Sequence, residues 1–312
     1  MRFVVIGPGA LGCLFAATLS ADHKHEVWLL DHNPERAAIL NRDGIILQHG
    51  ADEQRCFIRA TDTGHEINDS DCILLCVKSH QVPAAITNNK TLFETSPLTI
   101  AFQNGIGHLD TIAANLPVGQ WAIGVTSQGA NLIEPGHVRH GGAGLTSLGF
   151  LHPPAPSALD RLQQVAQIFR QSNIETTLEP RIKSKIWQKL LVNVGINALT
   201  AIHNCPNGEL LQSEKTCQRM RRAIREGAAV AEALAIPLDH EPISLAMQVC
   251  RDTAGNLSSM LQDIRNRRRT EIDAINGAIV REGDRLGIAV PENKALLQAI
   301  KELENSRLTD SA

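Results

Sequence analysis

Between Ile186 and Ile202 the chain is apolar around most of a helix circumference, through Trp187, Leu190, Leu191, Val192, Val194, Ile196, Leu199 and Ile202. Lys189, Asn193 and Asn197 interrupt this run at a spacing of four, which on a helix stacks them in one stripe drifting about 40° per step. An amine and two amides in a row can do definite chemistry. The ammonium stabilises negative charge on an oxygen and then hands it a proton, while the amides hydrogen-bond a polar ligand beside it. A solvated stripe on an ordinary amphipathic helix is the plainer reading. Such a face normally carries several long charged side chains, however, not one Lys and two Asn. A narrow polar stripe on a mostly buried helix predicts a cleft wall.

A second constellation stands at the start of the chain. Phe3-Val4-Val5-Ile6 reads as a short strand, and Gly7, Pro8, Gly9, Ala10, Leu11 and Gly12 follow as G-x-G-x-x-G. Leu11 to Leu19 then continues as an apolar helix, and Glu26 to Leu30 reads as a strand ending at Asp31. This is a βαβ unit with an acid about 20 residues past the last glycine. Gly7 permits the tight turn, Gly9 lets backbone approach a pyrophosphate, and Gly12 lets the helix lie close to the strand. The helix N-terminus offers free N–H groups and partial positive charge to phosphates. Met1-Arg2 and the apolar stretch to Ala21 also resemble a secretory signal. Gly7-Pro8-Gly9, however, breaks that run at its centre, where a signal helix must be strongest. The dinucleotide-binding reading explains more residues.

These two constellations need a scaffold, and the rest of the chain outlines one. Its 312 residues suit two domains, and 43% hydrophobic with 20% charged residues excludes a disordered or fibrous chain. A net charge of −3 gives no field to draw in nucleic acid or a membrane surface. No segment is apolar enough to span a bilayer. Seven Cys at irregular spacing point to reduced thiols in a cytoplasmic protein, and only ten aromatic residues (seven Phe, three Trp) leave an aliphatic core. Apolar runs at Cys72 to Val77, Leu98 to Phe102, Trp121 to Thr126 and Leu145 to Leu151 recur at strand length, with helical patterns and turns between several of them. Ala158 to Phe169 and Glu175 to Leu178 add one more helix and strand. From Ile182 onward only helical periodicities remain, such as Met220/Ile224/Ala228/Ala231/Leu234 and Ile272/Ile275/Ile279/Leu286. The expected fold is α/β: a Rossmann-type doubly wound sheet in residues 1–180, then an all-helical domain in residues 181–312.

Further polar groups fall where such a fold binds ligands. Lys78 and Gln103-Asn104-Gly105 follow two of the expected strands, at carboxyl ends where open α/β sheets take ligands. Asn204-Cys205-Pro206-Asn207-Gly208 reads as a turn, and Asn256-Leu257-Ser258-Ser259 as a helix cap; each has a purely structural explanation. Arg265, Arg267, Arg268 and Arg269 are interleaved with Asp263 and Glu271 without aromatic partners, as on a solvated or ion-paired face. Cys72 and Cys76 lie in a strand with no nearby His, which argues for packing over a metal site.

Taken together, GPGALG, the Lys78/Gln81 pair in VKSHQ, QNGIG, KIWQKLLVNVGINALTAI, NCPNGEL, NLSSMLQDI, RRTEID and GIAVPEN resemble the ketopantoate reductase (2-dehydropantoate 2-reductase) family. The resemblance runs from Arg2 to about Asn293, and NCPNGEL and SSMLQDI with TEID are far more specific than the glycine motif. It implies reduction of ketopantoate to (R)-pantoate with NADPH, on the route to pantothenate and coenzyme A. It also implies that the loop from Gly7 to Gly12 holds the pyrophosphate, that Lys78, Asn104 and Ala130 line the cofactor site, and that Glu271 reaches the cofactor and orders the cleft. Lys189 then becomes the general acid. The substrate contacts fall on Asn193, Asn197, Asn207 and the segment Asn256, Leu257, Ser258 and Ser259. No metal is implied, and the partners are a small 2-oxoacid, no nucleic acid and no membrane, for a monomer or homodimer.

One departure concerns the cofactor. NADPH-using members of the family commonly carry an Arg just after the second strand, to meet the 2′-phosphate. Here that place is held by His32, preceded by Asp31, and an acid there suits the free ribose hydroxyls of NAD. Arg36 lies within a turn, so the expectation stays with NADPH, with NAD as the alternative. Two competing functions stand beside the leading one: a relative that reduces another 2-oxoacid or a ketone, and a regulator that binds NADP(H) without turnover. The second has no need of Lys189 or Glu271.

Overall fold

The computed structural model describes residues 1–309; residues 310–312, the end of the expected helical domain, lie outside the described residues. The chain divides into two units, residues 1–103 with 109–182, and residues 104–108 with 183 onward. The sequence places a single boundary near Glu179-Pro180. In the structure the short segment Asn104–His108 leaves the first unit and packs with the second.

The first unit carries twelve strands: β1 (Arg2–Ile6), β2 (Glu26–Leu30), β3 (Ile45–His49), β4 (Asp52–Cys56), β5 (Arg59–Thr61), β6 (Cys72–Leu75), β7 (Thr99–Ala101), β8 (Trp121–Thr126), β9 (Gly129–Glu134), β10 (His137–Gly142), β11 (Thr146–Gly149) and β12 (Thr176–Leu178). Its helices are α1 (Ala10–Ser20), α2 (Pro34–Asp43), α3 (Val82–Asn88), α4 (Lys90–Thr95), α5 (Leu109–Asn115) and α6 (Pro156–Gln171). Eight strands form the main sheet in the order β12-β11-β8-β7-β6-β1-β2-β5. Every neighbouring pair is parallel except β11 with β8, which run antiparallel. The central strands β1, β6 and β7 are almost wholly buried, which is why they read as unbroken apolar runs.

The other four strands make a separate sheet, ordered β4-β3-β10-β9, that the sequence reading did not anticipate. Strand β4 is exposed over four of its five residues and β9 has no fully buried residue, so neither shows the apolar run that marked the main sheet. The sheet is two local hairpins, β3 with β4 and β9 with β10, joined by a parallel pairing of β3 with β10 that brings together segments far apart in sequence, His137 opposite Ile46 for example. Helix α1 packs against β1 and β2 on one side and against β3, β9 and β10 on the other. Sandwiched between two sheets, it buries residues from Gly12 to Ala17 together with Leu19 and Ser20. The greasy stretch that imitates a signal sequence is thus the most enclosed helix of this unit. Phe15 lies between Phe102 and Phe169, with ring centroids 4.8 and 5.4 Å away, and apart from Phe3 the rest of the buried core is mostly aliphatic.

The regular elements of the second unit are all helices among its described residues: α7 (Ile182–His203), α8 (Glu214–Ala233), α9 (Pro242–Asp252), α10 (Ser259–Arg265), α11 (Asn276–Leu286) and α12 (Pro291–Thr309), with a short 3₁₀ turn over Asn207–Gln212. Helix α11 starts later than its Ile272/Ile275/Ile279 spacing suggests. Residues Glu271 to Ile275 form a tight turn instead, with the N–H groups of Ala274 and Ile275 donating to the Glu271 carbonyl. Ile272 and Ile275 are buried all the same, because a turn can aim side chains inward at helical spacing. The Arg265 to Arg269 run is exposed, with Arg265 on Asn204 and Arg269 on Asp273. All seven Cys are unpaired, and Cys72 and Cys76 have thiols pushed well up by burial. Among the described residues no cluster of three metal-ligating side chains occurs, and no helix is long and apolar enough to cross a membrane.

Candidate active site

The glycine loop joins β1 to α1 in the first unit. Gly7 has a φ of +102°, and a Cβ on it would stand 2.8 Å from the Val77 backbone nitrogen. A Cβ on Gly12 would stand 2.0 Å from the Gly7 carbonyl oxygen, so the first turn of α1 rests directly on the loop. Gly9 differs. A Cβ there meets nothing within 4 Å, so the space before the loop is open. The start of α1 has no side-chain cap and no acid in its first turn. Its N–H groups and helix dipole are left to an anion from outside, the arrangement a pyrophosphate needs.

Asp31 lies at the end of β2 with its side chain fully buried. Arg36, from the first turn of α2, grips it through two donors: Nε to Oδ2, and Nη2 to Oδ1 at 2.6 Å. The Asn33 N–H donates to Oδ1 as well, at 3.1 Å. The carboxylate is therefore already neutralised from within. His32 is mostly exposed, with Nδ1 3.4 Å from Asp31 Oδ1. Lys78 follows β6, the neighbour of β1, and its N–H donates to Gln81 Oε1 at 3.1 Å. Gln103 ties the ends of β6 and β7 by donating from Nε2 to the Leu75 and Val77 carbonyls. Ala130 stands apart from these on β9 of the smaller sheet, opposite His140.

The remaining site residues belong to the second unit. Lys189, Asn193 and Asn197 follow one another on α7; Asn197 is buried, while Lys189 and Asn193 keep partial access. Although it retains some accessible surface, Lys189 is crowded enough that desolvation brings its pKa down from 10.5 to about 8, with the charge of Glu271 opposing the fall. Glu271, itself buried, accepts a 3.0 Å hydrogen bond at Oε2 from Asn104 Nδ2. This bond explains why residues 104–108 join the helical unit. The Ile106 N–H donates to the Ala274 carbonyl at 3.1 Å, and the loop lies flat on the turn that follows Glu271. Gly105 has a φ of +79°, and a Cβ there would come within 2.0 Å of the same carbonyl oxygen. Gly105→Ala combines a left-handed strain with a backbone collision, so it should destabilise the protein by about 2–4 kcal/mol in denaturant unfolding. A loss below about 0.5 kcal/mol would show that this loop is not held as described.

Asn207 and the segment before α10 are joined by backbone: the Asn207 N–H donates to the Asn256 carbonyl at 3.0 Å, and the Gly208 N–H to the Ala254 carbonyl at 3.0 Å. Asn207 is buried; its Nδ2 donates to Thr253 Oγ1, whereas its Oδ1 is buried without a partner among the described residues. Ser258 caps α10 by accepting from the Leu261 N–H, and it also accepts from Thr200 Oγ1 at 2.7 Å. Thr200 lies on α7, so this pair fixes the cap to the helix that carries Lys189. Asn256 and Ser259 are exposed, and Leu257 is half-buried.

The sequence reading passed over His108. It is buried, neither ring nitrogen has a partner among the described residues, and burial lowers its pKa to about 4 against the charge of Glu271. It is therefore neutral at physiological pH. Its only sequence signal was its place just after the QNGIG loop.

Comparison with known proteins places the whole chain among known relatives. A family model described as ketopantoate reductase PanE/ApbA matches residues 3–153, and one described as its C-terminal part matches residues 181–304. The chain is 36% identical over 308 residues to the 2-dehydropantoate 2-reductase of Vibrio cholerae serotype O1, covering 98% of this chain and 99% of that protein. Its structure resembles that of a PanE/ApbA family ketopantoate reductase from Ralstonia eutropha JMP134, with a TM-score of 0.88 and 29% identity over 99% of this chain and 100% of the other. It also resembles D-mandelate dehydrogenase in its ternary structure with NADH and anilino(oxo)acetate. There the TM-score is 0.90, with 28% identity over 98% of this chain and 99% of the other.

Proposed function

The chain belongs to the ketopantoate reductase family, and we propose that it reduces 2-dehydropantoate to (R)-pantoate with NADPH, in the cytoplasm. The observation that carries the reading is Lys189. A crowded ammonium with its pKa near 8 sits in line with two Asn amides and under the influence of a buried carboxylate. The first unit, expected from sequence to span residues 1–180, would bind the dinucleotide, and the helical unit the substrate.

The residues of the first unit fit the cofactor. The open space at Gly9 and the uncapped start of α1 suit a pyrophosphate held at Gly7, Pro8, Gly9, Ala10, Leu11 and Gly12. Lys78, His32, Ala130 and Asn104 complete the proposed contacts. NADPH supplies the hydride when bound. What this chain adds is placement and a proton. Hydride arrival at the ketone carbon leaves an alkoxide, which the Lys189 ammonium stabilises and then protonates. Glu271 keeps that ammonium charged against desolvation. Asn193, Asn197 and Asn207, with residues Asn256 to Ser259, would hold the carboxylate and hydroxyl of the substrate. The unpartnered Oδ1 of Asn207 in particular calls for a donor such as that hydroxyl.

A second reading has its own support. The likeness to a mandelate dehydrogenase structure holding NADH favours a reductase of another 2-oxoacid using NADH. Absorbance at 340 nm, followed with NADPH and NADH against ketopantoate and a panel of branched and aromatic 2-oxoacids, decides between the two. Turnover with ketopantoate at least tenfold above the rest is expected. Preference for an aromatic 2-oxoacid would replace the substrate and keep the Lys189 chemistry, and no turnover at all would favour a nucleotide-binding regulator.

A further inference from the structure

Lys189 lies on α7 and Glu271 on the turn before α11, so their spacing depends on how those two elements are joined. Five residues past each of them a side-chain bond makes that joint: Asn276 Nδ2 donates to the Val194 carbonyl of α7 at 3.3 Å. The bond does not stand alone. Asn276 Nδ2 also donates to Asn293 Oδ1 at 3.0 Å. Asn293 in turn donates through Nδ2 to the Ala223 carbonyl at 3.0 Å and to Glu226 Oε2 at 2.8 Å. The Glu226 carboxylate accepts from the N–H groups of Glu292 and Asn293 and so caps the first turn of α12.

Asn276 and Asn293 have no exposed surface, and a bonded pair of buried amides can be exchanged together for apolar groups of the same shape at little net cost. What the chain of bonds supplies is register. It runs from α8 and α12 through Asn276 into the middle of the helix that carries the ammonium. We infer that Asn276 is a positioning residue for the reduction, holding the turn of Glu271 at a fixed distance from the Lys189 stripe through its bond to the Val194 carbonyl.

The charges involved can be named. Glu271 acts on Lys189, and His108, which also feels the Glu271 charge, is neutral at working pH because burial lowers its pKa to about 4. Lys185, one turn before Lys189, is paired with Asp239 at 3.0 Å. Glu271 is thus the group that holds the ammonium up against desolvation, and a shift of its turn would be felt in the alkaline limb of the reduction rate.

The inference rests on the proton-donor role proposed for Lys189, so the experiment keeps the two apart. The purified full-length chain is assayed with ketopantoate and NADPH from pH 6 to 10 as wild type, Asn276→Ala, the volume-keeping Asn276→Leu, and Ser184→Ala. The last removes a 2.6 Å bond from α7 to the Pro237 carbonyl and serves as a lesion in the same helix outside the proposed link. In both Asn276 variants kcat at pH 7.5 is expected to fall about tenfold, KM for ketopantoate to change less than threefold, and the alkaline limb to move down by about half a pH unit or more. Ser184→Ala should lose stability and leave the limb in place. The inference is overturned if the limb of either folded Asn276 variant stays within 0.2 of wild type, or if Ser184→Ala moves it equally. Failure of the Lys189 reading would look different, because the wild-type limb would then survive Lys189→Ala.

Discussion

Lys189→Ala is expected to lower kcat for ketopantoate reduction by about 10³-fold while NADPH still binds, as followed by nicotinamide fluorescence. A general acid contributes about 10²–10⁴ and electrostatic stabilisation of an oxyanion about 10²–10³, and in the proposed reaction one ammonium would perform both tasks in overlapping fashion. The pH dependence follows from the same group. Burial lowers the Lys189 pKa to about 8, and the donor must be protonated, so reduction falls as pH rises through that value. The variant should show no such limb. Turnover within tenfold of wild type, or a limb that persists, would remove Lys189 from the role.

Stability carries the opposite sign. The folded chain holds the Lys189 proton less tightly than the unfolded one, so the cost of burying the ammonium is full below pH 8. It fades as pH rises from about 8 towards 10.5, where the unfolded state also loses the proton. Lys189→Met removes the charge and keeps the stem. At pH 7 it should stabilise the protein by about 1–3 kcal/mol, discounted for the partial access of the side chain, and the gain should shrink above pH 8. An inactive but more stable Met variant would identify the lysine as a group retained for chemistry.

Arg36→Ala should cut the ratio of kcat/KM for NADPH over NADH by about 100-fold, mostly through loss of NADPH activity. At present both Asp31 oxygens face the Arg36 guanidinium, and the site presents a neutral pair with a partly exposed cation at its edge. Without Arg36 a bare carboxylate at the end of β2 repels a 2′-phosphate and accepts hydrogen bonds from free ribose hydroxyls. Thermal stability should fall too, because Asp31 is left buried with little besides the Asn33 N–H to hold its charge. The specificity ratio is therefore measured below the unfolding transition. His32→Arg places a second cation on the exposed side of Asp31 and should raise the same ratio about fivefold. An unchanged ratio in Arg36→Ala would mean that the 2′-phosphate is read elsewhere.

The two constellations that opened the argument, the glycine loop and the Lys189 stripe, were legible because each is local. Three glycines between a β-branched run and an apolar run fix a turn and a helix start within a dozen residues. A four-residue spacing fixes a helix face whatever the helix packs against. The strands of the main sheet were legible for a related reason, since burial on both faces leaves an apolar run in the sequence. The smaller sheet was not: β4 and β9 are largely exposed and show no unbroken apolar run, and the sheet closes only where β3 meets β10, from a distant part of the chain.

What only the tertiary structure decided are the partners of the charged and amide groups. Sequence put an acid, Asp31, beside His32; the fold turned Arg36 back onto Asp31, so the carboxylate is paired from within while His32 stays exposed beside it. Sequence put Asn104 at a strand end of the first domain, whereas its side chain bonds Glu271, 167 residues further on. Asn276 and Asn293 carry no local signal in the sequence; only the fold brings their amides together across four helices. Local spacing determines which face a side chain occupies, because backbone geometry repeats over a few residues. The identity of its partner, and with it the pKa of Lys189, depends on long-range packing and desolvation, which no short stretch of sequence contains.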